Sequence, residues 1–170
     1  MIVADRIALW LADKGITHAF GVIGGGNVAI WDAITRLGKT QIISHHHEQA
    51  AAMAASAFYR ISGQISVALV TTGAGATNAI TGVVAAYMDS TPLLVISGNE
   101  ESKYMDSPTR VWGLQGYDSI RVAEPFCKVV ARPVAANVIA VLDDCLAKAL
   151  MPRQGPIWFD CCKDTQNETI

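Results

Sequence analysis

The strands predicted from this sequence are continuous apolar runs without polar alternation. The clearest two are ISVALV at residues 65–70 and LLVIS at residues 93–97. Strands of this kind are buried on both faces, and strands separated by helical segments pair in parallel through right-handed crossovers. The sequence therefore predicts an α/β fold, a doubly wound, mostly parallel six-stranded sheet with helices on both faces.

The remaining elements alternate in the same way. Short strands are predicted at HAFGV, QIIS, CKVVAR and IWFD, and apolar spacing predicts helices ending at Gly15, over 28–37, from Glu48 to Ile61, from Ala76 to Tyr87 and over 138–150. The segment 98–119 is too polar and turn-rich for a core element, and the polar stretch 162–170 is expected to fray. We predict one domain over residues 1–164 and a polar tail over 165–170.

Charge and cysteine usage limit the partners and the compartment. The net charge is −2 and Lys and Arg form no run, so neither nucleic acid nor an anionic membrane is a predicted partner. The four cysteines follow neither a metal-ligand spacing nor a secreted disulfide framework. The N-terminal stretch carries Asp5, Arg6 and Asp13 within its apolar pattern, unlike a signal peptide or a membrane span. A cytoplasmic location is predicted.

Glu48 is the residue whose position most needs a chemical explanation. It stands between the predicted strand 41–44 and an almost charge-free, alanine-rich helix, EQAAAMAASAFYR. Burying an ionisable group without a partner costs several kcal/mol, roughly, so such a group is usually either paired or used in proton transfer. Glu48 is therefore our candidate catalytic residue, and a structural ion pair is the alternative.

Two glycine-rich loops each follow a strand and open a helix, an arrangement that lets a ligand approach backbone N–H groups closely. The first loop, GGGNVA at 24–29, formally satisfies G-x-G-x-x-A, with Glu48 near the position of a ribose-binding acid. A nucleotide-binding oxidoreductase domain is therefore one alternative, although a full helix precedes the first strand. A glycine turn needed only for positive φ is another.

The three histidines His45, His46 and His47 raise the question of a metal site. Consecutive residues at a strand end point in alternating directions, so at most two side chains of 45–48 could converge, and no second cluster is present. No metal site is predicted, and His45 and His46 are expected to face solvent or a neighbouring subunit. Cys127 and Cys145 are predicted to act as small hydrophobes in the core.

A family resemblance follows from the ordered motifs His47-Glu48-Gln49, Gly75-Ala76-Thr77-Asn78 and Tyr87-Met88-Asp89-Ser90. The chain from about Ile2 to Asp164 resembles the N-terminal pyrimidine-binding domain of thiamine diphosphate enzymes, and is most similar to the acetolactate synthase group. In that family the glutamate corresponding to Glu48 bonds the ring nitrogen of the aminopyrimidine and favours its imino tautomer. The exocyclic nitrogen then removes the proton from the thiazolium carbon.

The resemblance also implies roles for both loops. It places cofactor contacts and substrate-side contacts at two sets of positions. The cofactor-binding set is Ile23, Gly24, Gly25, Glu48, Thr72, Gly73 and Asn78, and the substrate-side set is His47, Gly75 and Asn99.

Three departures from the family pattern concern the loops and the substrate. Ile23 and Ala74 stand where relatives often have proline, and Asn99 stands where a longer glutamine commonly faces substrate. Asn99 therefore puts an ordinary acetolactate substrate in doubt. Lys103, Arg110 and Trp112 are candidates for an entrance, with a solvated loop as the alternative.

The family resemblance also implies a partner. Full-length relatives carry a Gly-Asp-Gly motif in a further domain that holds magnesium and the diphosphate, and this sequence contains no such motif. We expect thiamine diphosphate to be shared with a separate diphosphate-binding subunit that holds the magnesium, in a heterotetramer of two chains of each kind. The alanine-rich helix is expected either to contact a second copy or to be an ordinary core helix.

The predicted activity is decarboxylation of a small-molecule 2-oxo acid. Two outcomes stay open: ligation of the resulting fragment to an acceptor, as in acetolactate synthase, or release of an aldehyde, as in the split sulfopyruvate decarboxylases. A non-catalytic regulatory or scaffolding domain is the alternative from another class.

Overall fold

The computed structural model describes residues 1–170 and contains one six-stranded sheet in which every pairing is parallel. The strand order is β2-β1-β3-β4-β6-β5. The strands are β1 His18–Gly21, β2 Gln41–Ser44, β3 Val67–Val70, β4 Leu93–Asn99, β5 Val129–Ala131 and β6 Pro156–Cys162. The predicted doubly wound α/β fold is confirmed.

The chain has seven α-helices. They are α1 Val3–Asp13, α2 Val28–Leu37, α3 Glu48–Ser62, α4 Ala74–Met88, α5 Ser119–Ala123, α6 Val138–Leu150 and α7 Lys163–Asn167. Of these, α2 to α6 lie between strands, α1 precedes β1 and α7 follows β6. Most bounds agree with the sequence predictions to within two residues. None of the helices combines the length and the apolar character required to cross a bilayer.

The sheet has a hydrophobic core on each face, which explains the absence of polar alternation in its strands. Leu69 and Ile96 belong to the core formed with α1, α2 and α6, whereas Val70 and Val95 belong to the core formed with α3 and α4. Each central strand therefore buries both sets of alternate side chains.

Helices α3 and α4 cross at small residues. A Cβ added to Gly82 of α4 would lie 2.6 Å from the Cβ of Ala52 in α3. Ala51, Ala52 and Ala55 are all buried in this contact face. The alanine-rich helix is thus a core helix on this face, and its contact with a second copy stays a prediction.

Two polar segments differ from the sequence predictions. The stretch 162–170 does not fray: it forms α7, in which Thr165 and Gln166 are buried, and Thr169 forms an antiparallel bridge to Ile2. Within 98–119, β4 continues to Asn99, Glu100 is buried, and Trp112 pairs with Gly116 in a tight hairpin. In both segments some polar groups are buried and bond to other protein groups, such as Asn99 to Asp160 and Gln166 to Gly26, which local polarity does not reveal.

The four cysteines are free thiols with little access to water. Burial raises the pKa of Cys127 to about 12 and that of Cys145 to about 11, and it also raises the pKa of Cys161. Cys145 lies in α6, as predicted, whereas Cys127 lies just before β5 rather than within it. These thiols are packing groups.

We expect the native cysteines to resist thiol reagents. The thiolate is the reactive form, so a raised pKa leaves little of it at pH 8, and reactivity should rise only toward strongly alkaline pH. Titration with a chromogenic disulfide at pH 8 should show native thiols reacting at least about a hundredfold more slowly than free cysteine. All four should react in concentrated guanidinium. A fast-reacting native thiol would contradict the packing.

We expect Gly82→Val to destabilise the chain by about 2 kcal/mol or more, because the added atoms must force α3 and α4 apart. Urea unfolding followed by circular dichroism measures the loss. Ala85→Val, at an exposed position of the same helix, is the matched control and should cost only about 0.5 kcal/mol in helix propensity. Equal losses for the two variants would show that the crossing is not tight.

Candidate functional site

Three loops meet at the carboxyl edge of the sheet. They join β1 to α2, β2 to α3 and β3 to α4. Since β1 pairs with both β2 and β3, loops that are distant in sequence become neighbours here. After β1 the chain crosses to β2 on one side of the sheet, and after β3 it crosses to β4 on the opposite side. The edge between β1 and β3 is therefore a topological switch point, where open α/β sheets bind ligands.

Glu48 lies at the centre of this edge as the first residue of α3, with only 7% of its surface exposed. Its Oε2 accepts a hydrogen bond of 2.9 Å from Nδ2 of Asn78 in α4. Its Oε1 faces Gly75, where an added Cβ would lie 2.9 Å away. The carboxylate therefore joins the first turns of two helices and keeps one oxygen for another donor.

Glu48 has no cationic partner. The ion pairs of the chain involve other carboxylates, and its own partner is the neutral amide of Asn78. The alternative of a buried structural ion pair is therefore wrong for this residue.

The histidines beside Glu48 have local structural roles. Nδ1 of His47 accepts a 3.2 Å hydrogen bond from the backbone N–H of Gln49 and so caps α3. His45 bonds the carbonyl of Ile43 at 3.0 Å, and His46 is exposed. No group of three or more His, Cys, Asp or Glu side chains converges in a way that could hold a metal ion.

The first glycine loop is held closely against the second. Cβ atoms added to Gly24 and Gly26 would lie 2.5 Å and 2.0 Å from the hydroxyl oxygens of Thr71 and Thr72 respectively. The backbone N–H of Gly26 donates to Oγ1 of Thr71 at 3.1 Å. None of Gly24, Gly25 and Gly26 has positive φ, so the expectation of a turn needed for that reason is wrong. Gly24 and Gly26 are required by close approach, whereas Gly25 faces open space.

Asn27 is a residue of this loop that the sequence reasoning missed. It is fully buried, its Oδ1 accepts from the N–H of Gly24 at 2.8 Å, and its Nδ2 donates to the carbonyl of Val22 at 3.0 Å. Its place between the glycines and α2 was the available signal, since asparagine commonly bonds nearby backbone groups in turns.

The second glycine loop contains a true left-handed residue. Gly73 has φ of +71° and precedes α4, and an added Cβ would lie 2.4 Å from the carbonyl oxygen of Gln115. Nε2 of Gln115 donates to the carbonyl of Thr72 at 3.0 Å. The Thr72 hydroxyl is buried and directed toward the carbonyl of Gly98. Thr71 and Gln115, which the sequence reasoning missed, therefore support this loop.

The remaining predicted positions divide between the edge and the interior. Ile23 is 52% exposed at the edge, and Gly25 faces open space. Asn99 is buried instead in a separate polar cluster, where its Nδ2 donates to Oδ2 of Asp160 at 2.9 Å and to the carbonyl of Tyr117 at 3.2 Å. The structure thus gives the Asn99 amide partners within the protein, and its substrate-side role stays a prediction.

Of the proposed entrance residues, Arg110 and Trp112 line one cavity together with Tyr117 and Asp118, whereas Lys103 is not part of its lining. Trp112 is buried with the guanidinium of Arg132 over its ring at 5.4 Å, whereas Lys103 is exposed and pairs with Glu101. Arg132 also donates to Asp160 at 2.8 Å. Burial raises the pKa of Asp160, and the charge of Arg132 opposes that shift. This cluster supports the hairpin rather than an opening.

The fold and this edge define a ligand-binding α/β domain, and the groups at the edge suit an uncharged ring. One carboxylate oxygen is fixed by an amide and the other faces a glycine, with further glycines, hydroxyls and amides around them. Such a set suits a flat heterocycle that donates to a carboxylate, and it supplies no charge for a phosphate. The aminopyrimidine of thiamine fits this description.

Comparison with known families agrees with that class. The family described as "Thiamine pyrophosphate enzyme, N-terminal TPP binding domain" matches residues 1–121. The chain belongs to this family.

Several curated relatives are acetolactate synthases. The chain is 36% identical over 167 residues to the acetolactate synthase large subunit of Haemophilus influenzae, covering 96% of this chain and 28% of that protein. It is 35% identical over 173 residues to the isozyme 3 large subunit of Escherichia coli, with the same two shares, 96% and 28%. It is 31% identical over 170 residues to a probable acetolactate synthase large subunit of Methanocaldococcus jannaschii, covering 98% of this chain and 28% of that protein. The chain therefore spans just over a quarter of the length of these relatives.

We expect the hydrogen bond between Glu48 and Asn78 to appear as a coupling in unfolding free energies. A double-mutant cycle with Glu48→Ala and Asn78→Ala should give about 1–2 kcal/mol of coupling, because the bond is charge-assisted and mostly shielded from water. Urea unfolding of the four proteins measures it. A control cycle pairs Glu48→Ala with Thr77→Ala, at an exposed neighbouring position. Its coupling energy should be below about 0.5 kcal/mol.

Proposed function

We propose that this chain is the pyrimidine-binding subunit of a split thiamine diphosphate enzyme that acts on a 2-oxo acid. The observation that carries the proposal is the Glu48 carboxylate, with Oε2 fixed by Asn78 and Oε1 left beside Gly75. Family membership supports the cofactor, and the acetolactate synthases among the relatives support the substrate class.

The residues of the edge have separable roles in this proposal. Glu48 holds and moves a proton at the ring nitrogen of the aminopyrimidine, and Asn78 keeps the carboxylate in place. Gly75 lets the Glu48 carboxylate lie directly against α4, while Gly25, which faces open space, lets the ring lie against the first loop. When bound, thiamine diphosphate supplies the electron sink for decarboxylation.

A second polypeptide is part of the proposal because the groups around Glu48 are neutral. The diphosphate needs a cation, and magnesium is commonly held by carboxylates, water and the phosphates themselves. We propose that a Gly-Asp-Gly-containing subunit supplies this half of the site and that two chains of each kind form a heterotetramer. The isolated chain should bind the cofactor weakly, since phosphate and metal contacts would contribute much of the affinity.

The outcome of the reaction is proposed as ligation of the fragment to an acceptor, because the similar relatives carry the name acetolactate synthase. Release of an aldehyde is the second candidate, favoured by the buried amide of Asn99, which is bonded within the protein. A purely scaffolding role gives no reason for a carboxylate without a cation at Glu48. The dinucleotide alternative loses its physical basis because Thr71 and Thr72 pack against the first-loop glycines.

The experiment mixes this chain with a Gly-Asp-Gly-containing polypeptide encoded beside it, thiamine diphosphate, magnesium and pyruvate or another 2-oxo acid. We expect carbon dioxide release only in the complete mixture. Product analysis then separates an acyloin-type product from an aldehyde. Full activity from this chain alone would contradict the split site, and tighter binding of NAD than of thiamine diphosphate would contradict the cofactor.

We expect Glu48→Gln to lower the turnover of the complete mixture by at least about a hundredfold, because the amide cannot exchange a proton with the ring nitrogen. Steady-state assays at saturating cofactor measure the loss. Glu124→Gln, at an exposed glutamate far from the edge, is the matched control and should retain wild-type turnover. Wild-type turnover in the Glu48→Gln mixture would rule out the proposed role.

A further inference from the structure

Gln166 makes the least expected contact in the molecule. It lies in the short helix α7, is only 1% exposed, and its Nε2 donates to the carbonyl of Gly26 at 2.7 Å and to the carbonyl of Cys161 at 2.8 Å. Both hydrogens of the amide are therefore used on backbone acceptors. One acceptor is anchored in β6, and the other belongs to the first glycine loop.

Gly26 is the residue through which the first loop contacts the β3–α4 loop, β4 and α7. Its N–H donates to Oγ1 of Thr71, and its Cα approaches Thr72 so closely that no Cβ would fit. Its carbonyl oxygen would lie 1.9 Å from a Cβ added to Gly98. Contacts from the β3–α4 loop and from β4 thus fix the lateral position of the first glycine loop. The Gln166 amide holds the carbonyl of Gly26.

Helix α7 is itself firmly attached. The carboxylate of Asp164 accepts from the N–H of Ser102 at 2.9 Å and from its hydroxyl at 2.6 Å, and Lys163 pairs with Glu100 at 2.7 Å. The backbone of Thr169 pairs with that of Ile2. The Gln166 amide is therefore presented from a fixed support.

Removing this amide would leave a buried carbonyl without its donor. A buried acceptor without a donor costs about 1–3 kcal/mol, so the group that can move will move to find water. Cys161 is held within β6, where it pairs with Gly98 of β4. The loop containing Gly26 is the part that can move.

We propose that Gln166 is a positioning residue for the first glycine loop, through which the C-terminal helix sets the shape of the cofactor site. It contacts neither the cofactor nor the substrate. Its action on cofactor binding rests on the proposed function, whereas its action on the loop does not.

Hydrogen exchange of the free chain tests the first part. The reporters are the amides of Gly24, Gly26 and Asn27, which are all hydrogen-bonded within the loop or to Thr71. Gln166→Met keeps the volume and removes the donor, and should accelerate exchange at these amides by about tenfold. Exchange in β3 and β4 should not change. Asn167→Ala, which removes an exposed bond within α7, is the matched control and should leave the loop unchanged.

Two results would overturn the proposal. One is wild-type exchange of the loop amides in Gln166→Met, and the other is equal acceleration in the loop and in β3 and β4, which indicates global destabilisation. Gln166→Asn decides the question if the Met variant does not fold. Its amide is one methylene short, so an intermediate acceleration is expected, and wild-type rates would overturn the proposal.

The cofactor-binding part is measured in the complete mixture with the partner polypeptide. Gln166→Met should weaken thiamine diphosphate binding by about tenfold while turnover at saturating cofactor stays within about twofold. A loss of turnover with unchanged affinity would overturn this part. If the wild-type mixture binds no thiamine diphosphate, the proposed function fails, and hydrogen exchange still decides the role of Gln166 in the loop.

Discussion

The close approach of two backbone loops is the constraint on which the rest of the site depends. Gly24 and Gly26 lie directly against Thr71 and Thr72 because their loops leave adjacent strands, β1 and β3, at the same edge. Any side chain on those glycines would separate the loops and move the helices that follow them. The hydrogen bond between Glu48 and Asn78 needs α3 and α4 to begin close together, so it depends on the same packing.

Much of the fold could be predicted because its information is local. The apolar run LLVIS encodes a strand that is buried on both faces, and it lies in β4. The helical spacing in VIAVLDDCLAKAL encodes a helix that is buried on one face, and it forms α6. Glu48 was also predictable, since a lone carboxylate at the start of an alanine-rich helix is chemically conspicuous. The buried position of Glu48 was thus predicted before the fold was known, and its catalytic role stays a prediction.

The residues that were missed act through contacts distant in sequence. Thr71, Gln115 and Gln166 each bond a backbone group of another segment, and nothing in their own neighbours marks them. A polar tail ordinarily indicates fraying because its polar groups prefer water. Here one amide finds two buried carbonyls, and that match exists only after the sheet has formed. The local sequence shows the period of the hydrophobic residues, but it does not show hydrogen bonds between segments that are distant in sequence.

Asp160 and Glu48, two of the three buried acidic residues, differ in how their charge is balanced within the chain. Asp160 has Arg132 as its cation and Asn99 as its donor, both at Oδ2, while its Oδ1 is buried without a hydrogen-bond partner. Glu48 has only the neutral amide of Asn78, and one of its oxygens remains without a donor from the chain. A buried carboxylate that lacks a cation is costly unless something else completes its bonding. The fold therefore supplies a cation to Asp160 and none to Glu48, and this difference is the reason for proposing a ligand at Glu48.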